Sequence, residues 1–329
     1  MDSKHLLLNL LLVFFSLQSV RVNAQNYRNA QAYIDDFEKN ESYVNEYLIE
    51  YSSSIIYRYK DARTQATLER IYEKLEAINN NLYKNDIGFQ GDMSLRDSFL
   101  KMNTYTITLL ENSSLRLTDY DLQKTQAFSE IFECFDKRKQ DIINYYSLIL
   151  DYNNCKRNFS KRNNLKNVRY FVKKNLFEYD AHQSLFFFKM NVLDAKLCDL
   201  LKTTDTKNTT ECALYLNQVC EEVLIETEQY KKVHIDHSLN NANIGLIQFL
   251  TMQNESLIPK YINYMQALKE FKVVKANSDT SIELYNEKVR ILNRTKNIFY
   301  DNFNEIQTEK KELIEKWYKI KSNFLKKNL

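Results

Sequence analysis

Apolar residues recur at helical spacing along most of the chain, and the pattern is most regular near its C-terminal end. From Ile282 to Phe324, the first and fourth positions of a seven-residue repeat are apolar at eleven of thirteen sites. A repeat of seven sustained over this length keeps one seam of a helix facing a partner helix. The sequence therefore predicts a long C-terminal helix packed against another long helix, for which the segment 30–82 is the longest candidate.

Lysine occupies the two remaining seam positions, Lys296 and Lys310. A lysine at such a position can cover the seam with its methylene groups while its ammonium reaches the rim, and one polar residue can also fix the register of the two helices. Alternatively, Lys296 and Lys310 mark where the seam opens onto an outside partner.

Loop signals divide the rest of the chain into further predicted helices. Polar stretches rich in Asn, Gly, Ser or Thr interrupt the helical pattern at 79–92, 111–119, 153–164 and 203–210. The motif TSIE (Thr280–Glu283) predicts a capping box at the start of the last helix. The predicted helices cover 30–80, a segment from Ser94, 121–152, a segment ending near Leu201, 211–232, 243–274 and the C-terminal seam.

Composition narrows the fold class. The chain has three glycines and one proline in 329 residues, far below the roughly 7 and 5 per cent of average proteins. Tight turns between strands depend on these residues, whereas helices joined by polar loops need few of them. We therefore predict an all-α fold, an elongated bundle of long antiparallel coiled-coil-like helices. A single domain over 25–329 is expected, with subdivision points near 86–93 and 203–210.

The first residues predict export from the cell. LLLNLLLVFFSL follows Lys4 and His5, and Val22 and Ala24 are small residues placed for cleavage before Gln25. Such a segment is typical of a secretory signal peptide, here 1–24, and we expect an extracellular protein with no membrane span. The formal net charge of +3 becomes +2 without Asp2, Lys4 and Arg21, which argues against nucleic acid as a partner.

The cysteines then predict disulfides, because an oxidising compartment favours pairing. Cys198 precedes the 203–210 loop and either Cys212 or Cys220 follows it, so a bridge across this loop is expected. Cys212 and Cys220 lie about 12 Å apart along one helix, too far to bridge each other. Cys134 and Cys155 can meet only if the helix between them folds back. One of the five remains free or forms an intermolecular bridge in a dimer.

The segment CFDKRKQDIINYYSLILDYNNC carries a family resemblance. Cys134, Phe135, Tyr152 and Cys155 match the Cys-Phe start and Tyr-x-x-Cys end of the TsetseEP-type domain of secreted insect proteins, which this segment resembles. The overall plan is also similar to mosquito and other dipteran salivary proteins. The resemblance implies a role in saliva, the gut lumen or reproductive fluid, and it brings no enzymatic activity with it.

Six Asn-x-Ser/Thr sequons are candidates for glycosylation in an exported protein. They lie at Asn40, Asn112, Asn158, Asn208, Asn254 and Asn293.

No catalytic, cofactor-binding or metal-binding motif stands out. The chain lacks a glycine-rich phosphate loop, a Gly-x-Ser-x-Gly elbow and a His-Glu-x-x-His motif. His234 and His237 in HIDH could share a metal on a helix, but zinc needs a third ligand. We expect exposed polar residues there, no cofactor and no enzyme.

One apolar run has three alternative interpretations. It comprises Leu185, Phe186, Phe187, Phe188 and Met190. These side chains form a helix core, line a pocket for a small apolar ligand, or insert into membranes from an exposed tip.

The sequence thus favours a secreted, non-enzymatic binding protein that engages an extracellular protein partner through a helical surface rich in tyrosine. A carrier of a small apolar ligand and a membrane-active helical toxin are the alternatives.

Overall fold

The structure, a computed structural model, describes residues 27–56, 62–111, 123–169, 176–231 and 236–328. The signal peptide predicted at 1–24 lies outside these residues. The described part of the chain is all-α, as predicted, with one isolated β-bridge between Phe89 and Asp92. Its eight helices are α1 (Ala30–Ile56), α2 (Ala62–Asn85), α3 (Ser94–Glu111), α4 (Phe128–Arg162), α5 (Leu176–Leu200), α6 (Thr206–Tyr230), α7 (Ser238–Ala276) and α8 (Ile282–Asn328).

The chain divides into two compact units. The first contains most of α1, all of α2 and α3, and α4 from Asn144 onward; the second contains α4 up to Ile143 and all of α5 to α8. The subdivision point expected at 86–93 lies inside the first unit, as the turn between α2 and α3. The point expected at 203–210 lies inside the second unit, where 206–210 already belong to α6.

In the first unit, a glycine turn joins α2 to α3. Gly88 and Gly91 have φ angles of +81° and +84°, which only glycine adopts without strain. The Gly88 amide donates to a carboxylate oxygen of Asp86 at 2.7 Å. A Cβ atom on Gly88 would lie 2.5 Å from the Asp92 carbonyl oxygen, whereas one on Gly91 would meet nothing within 4 Å. The turn is shorter than the predicted loop at 79–92, because α2 continues to Asn85.

A buried ion cluster fixes α1 against α4 in this unit. The Lys156 side chain is fully buried, and its ammonium lies 2.7 Å from Glu41 and 3.3 Å from Glu38. The Tyr152 hydroxyl donates to Glu41 as well. Desolvation raises the pKa of Glu41 despite the opposing effect of Lys156. The buried charges of Lys156 and Glu41 therefore compensate each other, and removal of either one would leave the other buried without a partner of opposite charge.

Helix α4 is continuous, so the interruption predicted at 153–164 is wrong. Tyr152, Lys156 and Phe159 recur at helical spacing on its buried face. The polar residues that resembled a loop, including Arg157 and Asn158, are the exposed face of the same helix. Because no break separates Cys134 from Cys155, the helix between them does not fold back and the two cannot bridge.

In the second unit, consecutive helices α5 to α8 pack against each other as antiparallel neighbours. Asp205 caps α6 by accepting from the Asn208 amide at 3.0 Å, so α6 begins earlier than predicted. Ser281 caps α8 by accepting from the Leu284 amide at 3.2 Å. The predicted capping box therefore starts one residue too early, and the Thr280 hydroxyl instead donates to the Val274 carbonyl.

The seam of α8 faces α7 and α5 rather than the expected segment 30–82. Phe299 contacts Tyr261 and Tyr264 of α7, with ring centroids 5.7 and 5.9 Å apart. Trp317 stacks on Phe187 of α5 at 3.8 Å and an interplanar angle of 14°. The partner is therefore the neighbouring helix in the chain together with α5, in the same unit.

Candidate functional site

Lys310 is a buried structural residue. Its ammonium lies 2.8 Å from the Asp194 carboxylate of α5, and the two side chains are 8% and 5% exposed. Gln253 of α7 donates to the other oxygen of Asp194 at 2.8 Å. Desolvation is the largest single effect and lowers the pKa of Lys310, but the charges and hydrogen bonds of Asp194 and Cys198 together outweigh it, so the net pKa is raised. Lys310 therefore stays cationic and ties α8 to α5.

A second buried lysine repeats this arrangement about three turns further along α8. Lys321 lies 3.2 Å from Asp180 of α5 and donates to the Ser184 hydroxyl. Between the two lysines, the Trp317 indole donates to Asn243 at 2.9 Å. Lys310, Trp317 and Lys321 therefore form a row of polar anchors within the apolar contact of α8.

A cleft of about 310 Å³ reaches the Lys310–Asp194 pair. Its other charged groups, Lys124 and Asp199, lie 3.1 Å apart and neutralise each other. The cleft therefore presents balanced charge, with no excess of either sign for an ionic ligand.

The five cysteines are free thiols in this structure. Cys198, expected to bridge Cys212 or Cys220, instead accepts from Lys310 at 2.9 Å and Gln307 at 3.3 Å. Cys212 directs its thiol at the Leu193 carbonyl, 3.4 Å away. Burial raises the pKa of Cys198 to about 11, so at neutral pH it is a protonated thiol, which is a poor nucleophile.

The apolar run at 185–190 is core. Leu185, Phe186, Phe187, Phe188 and Met190 are all at most 3% exposed, and the Arg138 guanidinium lies 3.5 Å over the Phe188 ring. These side chains fill space between helices in the described chain. The run therefore forms no exposed tip, which removes the support that the toxin alternative drew from it. Phe187 also lines the cleft of about 310 Å³ described above, so the carrier alternative stays a prediction.

His182 is also buried in the second unit, with its ring 5.2 Å from Tyr230 and 6.4 Å from Phe186. Burial lowers its pKa to about 4, and the nearby charges of Lys139 and Lys189 act in the same direction. His182 is therefore a neutral packing residue at physiological pH.

Within the described residues, no group of three or more potential metal ligands comes together. His237 lies at the N-cap of α7, and His234 is outside the described part of the chain.

The structure distinguishes the sequons by accessibility. Three are exposed: Asn158, Asn208 and Asn293. Asn40 is half-buried, and Asn112 lies outside the described residues. Asn254 is buried, and its amide donates to the Ala213 carbonyl at 3.2 Å and to Asn217 at 2.8 Å. A glycan on Asn254 is therefore incompatible with this fold.

The other seam lysine, Lys296, lies where the seam opens. From Phe299 onward the seam residues Phe303, Ile306 and Trp317 are buried, but Lys296 is exposed and Ile282 is 75% exposed. We call residues 262–298, comprising the end of α7, the connecting turn and the start of α8, the hairpin end. The two seam lysines thus differ in role: Lys310 is a buried anchor, and Lys296 belongs to an open surface.

An apolar groove runs along the hairpin end. It has a volume of about 860 Å³, and Ile262, Met265, Val273 and Val274 of α7 form its apolar surface. Val273 is 65% and Ile262 41% exposed, so this apolar surface faces solvent. The first turn of α6 forms one wall of the groove, and Lys288 of α8 contributes to another wall. We call this feature the α7 groove; sequence reasoning missed it because its walls come from three helices.

A stripe of exposed apolar residues on α8 continues the groove. Leu284, Ile291 and Ile298 follow one another at seven-residue spacing and are 41%, 36% and 45% exposed. Lys288 lines the groove and is four residues from Leu284 and three from Ile291, so these residues share one side of α8. The exposed apolar surface therefore extends from α7 onto α8.

The rim of the α7 groove is cationic. Lys207, Lys269 and Lys288 line it, with Glu270 as the single acidic residue. Glu270 pairs with Lys288 at 2.9 Å, and the hydrogen bond between them lowers the pKa of Glu270. Lys207 and Lys269 form no ion pair within the described part of the chain, so the rim carries two positive charges beyond the neutral pair.

Comparison with known proteins finds no similarity to report. No protein-family model matches the chain, and searches of curated proteins and of solved structures return no match. Among the described helices, none is both long enough and apolar enough to span a bilayer.

Proposed function

We propose that the chain is a secreted, non-enzymatic binding protein whose α7 groove takes up a helical segment of an extracellular protein partner. The observation that carries this proposal is the exposed apolar surface formed by the groove and the α8 stripe. Folded proteins leave few extended apolar surfaces open to water, and such surfaces mark interaction sites.

The dimensions of the groove suit a helix. Its α7 residues run from Ile262 to Val274, which spans about 18 Å, or roughly three helical turns. An amphipathic helix placed along this groove buries one apolar face by the helix-in-groove mode of recognition. The hairpin end then becomes a three-helix arrangement, in which Leu284 and Ile291 are covered as well.

The perturbed groups elsewhere in the second unit support binding rather than catalysis. Lys310 and Asp194 are committed to a buried pair, and Cys198 is held as a protonated thiol. Each of these groups holds helices together, and none is arranged as a nucleophile beside a general base.

The extracellular location rests on the signal peptide predicted at 1–24. The resemblance of Cys134–Cys155 to the TsetseEP-type domain stays a prediction and points to an insect body fluid. Because exposed sequons of an exported protein are acceptors for glycans, the proposal includes glycans on Asn208 and Asn293.

The test is a titration with a labelled amphipathic helical peptide of about 18 residues, long enough to span the groove. The peptide carries leucines at helical spacing on one face and neutral polar residues elsewhere. Fluorescence anisotropy should show saturable binding to the wild type and about tenfold weaker binding to the double variant Ile262→Ser/Val273→Ser, because two exposed apolar contacts are removed.

The control is Ile225→Ser. Ile225 lies on α6 in the same unit, is 63% exposed and does not line the groove. Its variant should bind like the wild type. Equal binding by the wild type and the double variant, or no saturable binding of any amphipathic helix, would overturn the proposal.

A further inference from the structure

We infer that the α7 groove selects an acidic amphipathic helix, with Lys207 and Lys269 as the residues that determine this selectivity. The inference rests on the proposed function and adds to it the charge of the partner.

The hairpin end has a net positive charge of its own. Residues 262–298 contain seven basic and four acidic residues, a net charge of +3. The entire 329-residue chain has the same formal net charge of +3. The hairpin end thus carries positive charge beside exposed apolar residues.

Lys207 is placed where helix stability does not favour it. It lies in the first turn of α6, which begins at Thr206. The N-terminal end of a helix carries partial positive charge, so a cation there is unfavourable and an anion favourable. The Asp205 carboxylate is already engaged in capping the Asn208 amide. Lys207 therefore adds positive potential to the groove without stabilising its own helix.

Lys207 and Lys269 approach the groove from different helices, α6 and α7, and flank its apolar surface. A helix lying in the groove exposes its flanking positions to both lysines. Glutamate or aspartate at these positions gains favourable contacts on both sides, whereas lysine or arginine meets like charge. Lys288 is already neutralised by Glu270 and contributes less to this selection.

The same charges disfavour a second copy of the chain as the occupant. Pairing two hairpin ends would bring two surfaces of net charge +3 together, and like-charge juxtaposition opposes association. The concave shape favours a helix over a lipid surface. Ile262, Met265 and Val274 lie within a groove of about 860 Å³ with walls from neighbouring helices, whereas a membrane-binding face is a convex stripe on one amphipathic helix.

The test uses three labelled peptides of about 18 residues that share one leucine face and differ at their flanks, which carry glutamate, glutamine or lysine. The protein is the full mature chain. The glutamate peptide should bind about tenfold more tightly than the glutamine peptide, and the lysine peptide more weakly than either. Raising the salt from about 0.05 M to about 0.5 M should remove most of this difference by screening.

The double variant Lys207→Glu/Lys269→Glu should reverse the order of the glutamate and lysine peptides. The matched control is Lys272→Glu/Lys275→Glu, which changes the net charge of the protein equally on exposed residues that do not line the groove. This control should keep the order of the wild type. Circular dichroism verifies that both variants fold.

The outcomes separate the inference from the proposed function. If all three peptides bind equally, or if the control variant reverses the order as the groove variant does, the selection by Lys207 and Lys269 is refuted while helix binding stands. Failure of every peptide to bind refutes both. Concentration-dependent dimerisation by light scattering, or binding to phosphatidylserine vesicles without binding of the glutamate peptide, replaces the acidic helix with those occupants.

Discussion

Replacing Lys310 by methionine should strongly destabilise the second unit. The substitution preserves the length and apolar character of the side chain and removes the ammonium 2.8 Å from Asp194. The Asp194 carboxylate, 5% exposed, then keeps only the hydrogen bond from Gln253 among the contacts described above. Removing one partner of a buried ion pair costs about 3–5 kcal/mol, because the other charge stays buried without compensation.

Urea unfolding followed by tryptophan fluorescence measures this loss directly. Trp317 is the single tryptophan of the chain and lies about two turns from Lys310 on α8. Adding Asp194→Asn to Lys310→Met removes the uncompensated charge and retains an oxygen that accepts from Gln253. The double variant should therefore recover at least half of the lost free energy of unfolding.

Lys296→Met is the matched control, since Lys296 occupies the equivalent position of the heptad repeat but is exposed. Its free energy of unfolding should stay within about 0.5 kcal/mol of the wild type. Equal effects of Lys296→Met and Lys310→Met would refute the distinction between an anchor and an open surface, as would a double variant less stable than Lys310→Met alone.

Three further predictions concern pH, the glycine turn and glycosylation. The pKa of His182 is about 4 in the fold against about 6.5 in the unfolded chain, so the unfolded chain binds the proton first as the pH falls. The free energy of unfolding of the wild type should therefore fall by about 3 kcal/mol between pH 6.5 and 4, relative to that of His182→Phe. A stability difference between the two proteins that does not change with pH would contradict this. Gly91→Ala should cost about 1 kcal/mol for its left-handed backbone, and Gly88→Ala at least about 2 kcal/mol because its Cβ meets the Asp92 carbonyl; thermal unfolding that ranks them equally would be inconsistent with the turn geometry. When the protein is secreted from insect cells, glycopeptide mass spectrometry should find a glycan on Asn208 and none on Asn254. A glycan on Asn254 in the folded protein would contradict the burial of that residue.

The sequence predicts the helices well because helical periodicity and the scarcity of glycine are local properties. It predicts the long α8 and its seam, since apolar residues at seven-residue spacing determine which face is buried. It misjudges α4, because the exposed face of a helix at 153–164 has the same polar composition as a loop. Only the buried positions Tyr152, Lys156 and Phe159 distinguish the two, and one of these is a lysine.

The partner of the seam depends on long-range complementarity, which periodicity does not encode. A partial signal exists nonetheless: Asp180 and Asp194 lie 14 residues apart on α5, and Lys310 and Lys321 lie 11 residues apart on α8. Antiparallel pairing of these charges predicts the contact that the structure contains. The α7 groove offers no such signal, since α6, α7 and α8 each contribute a few residues that look ordinary within their own helices.

The disulfides expected from an oxidising compartment depend on whether the fold brings the cysteines together. Secretion favours disulfides, but the fold places Cys198 against Lys310 and Gln307 and separates Cys134 from Cys155 by continuous helix. A free Cys198 is consistent with its role in packing, since burial keeps the thiol protonated.

Amide hydrogen exchange with the glutamate-flanked peptide bound tests the central claim most directly. The account predicts new protection in residues 206–210, 262–274 and 284–298, the backbone segments that form the α7 groove and the α8 stripe. Helices α2 and α3 should exchange as they do without peptide. Protection confined to other helices while the peptide is bound would contradict the account.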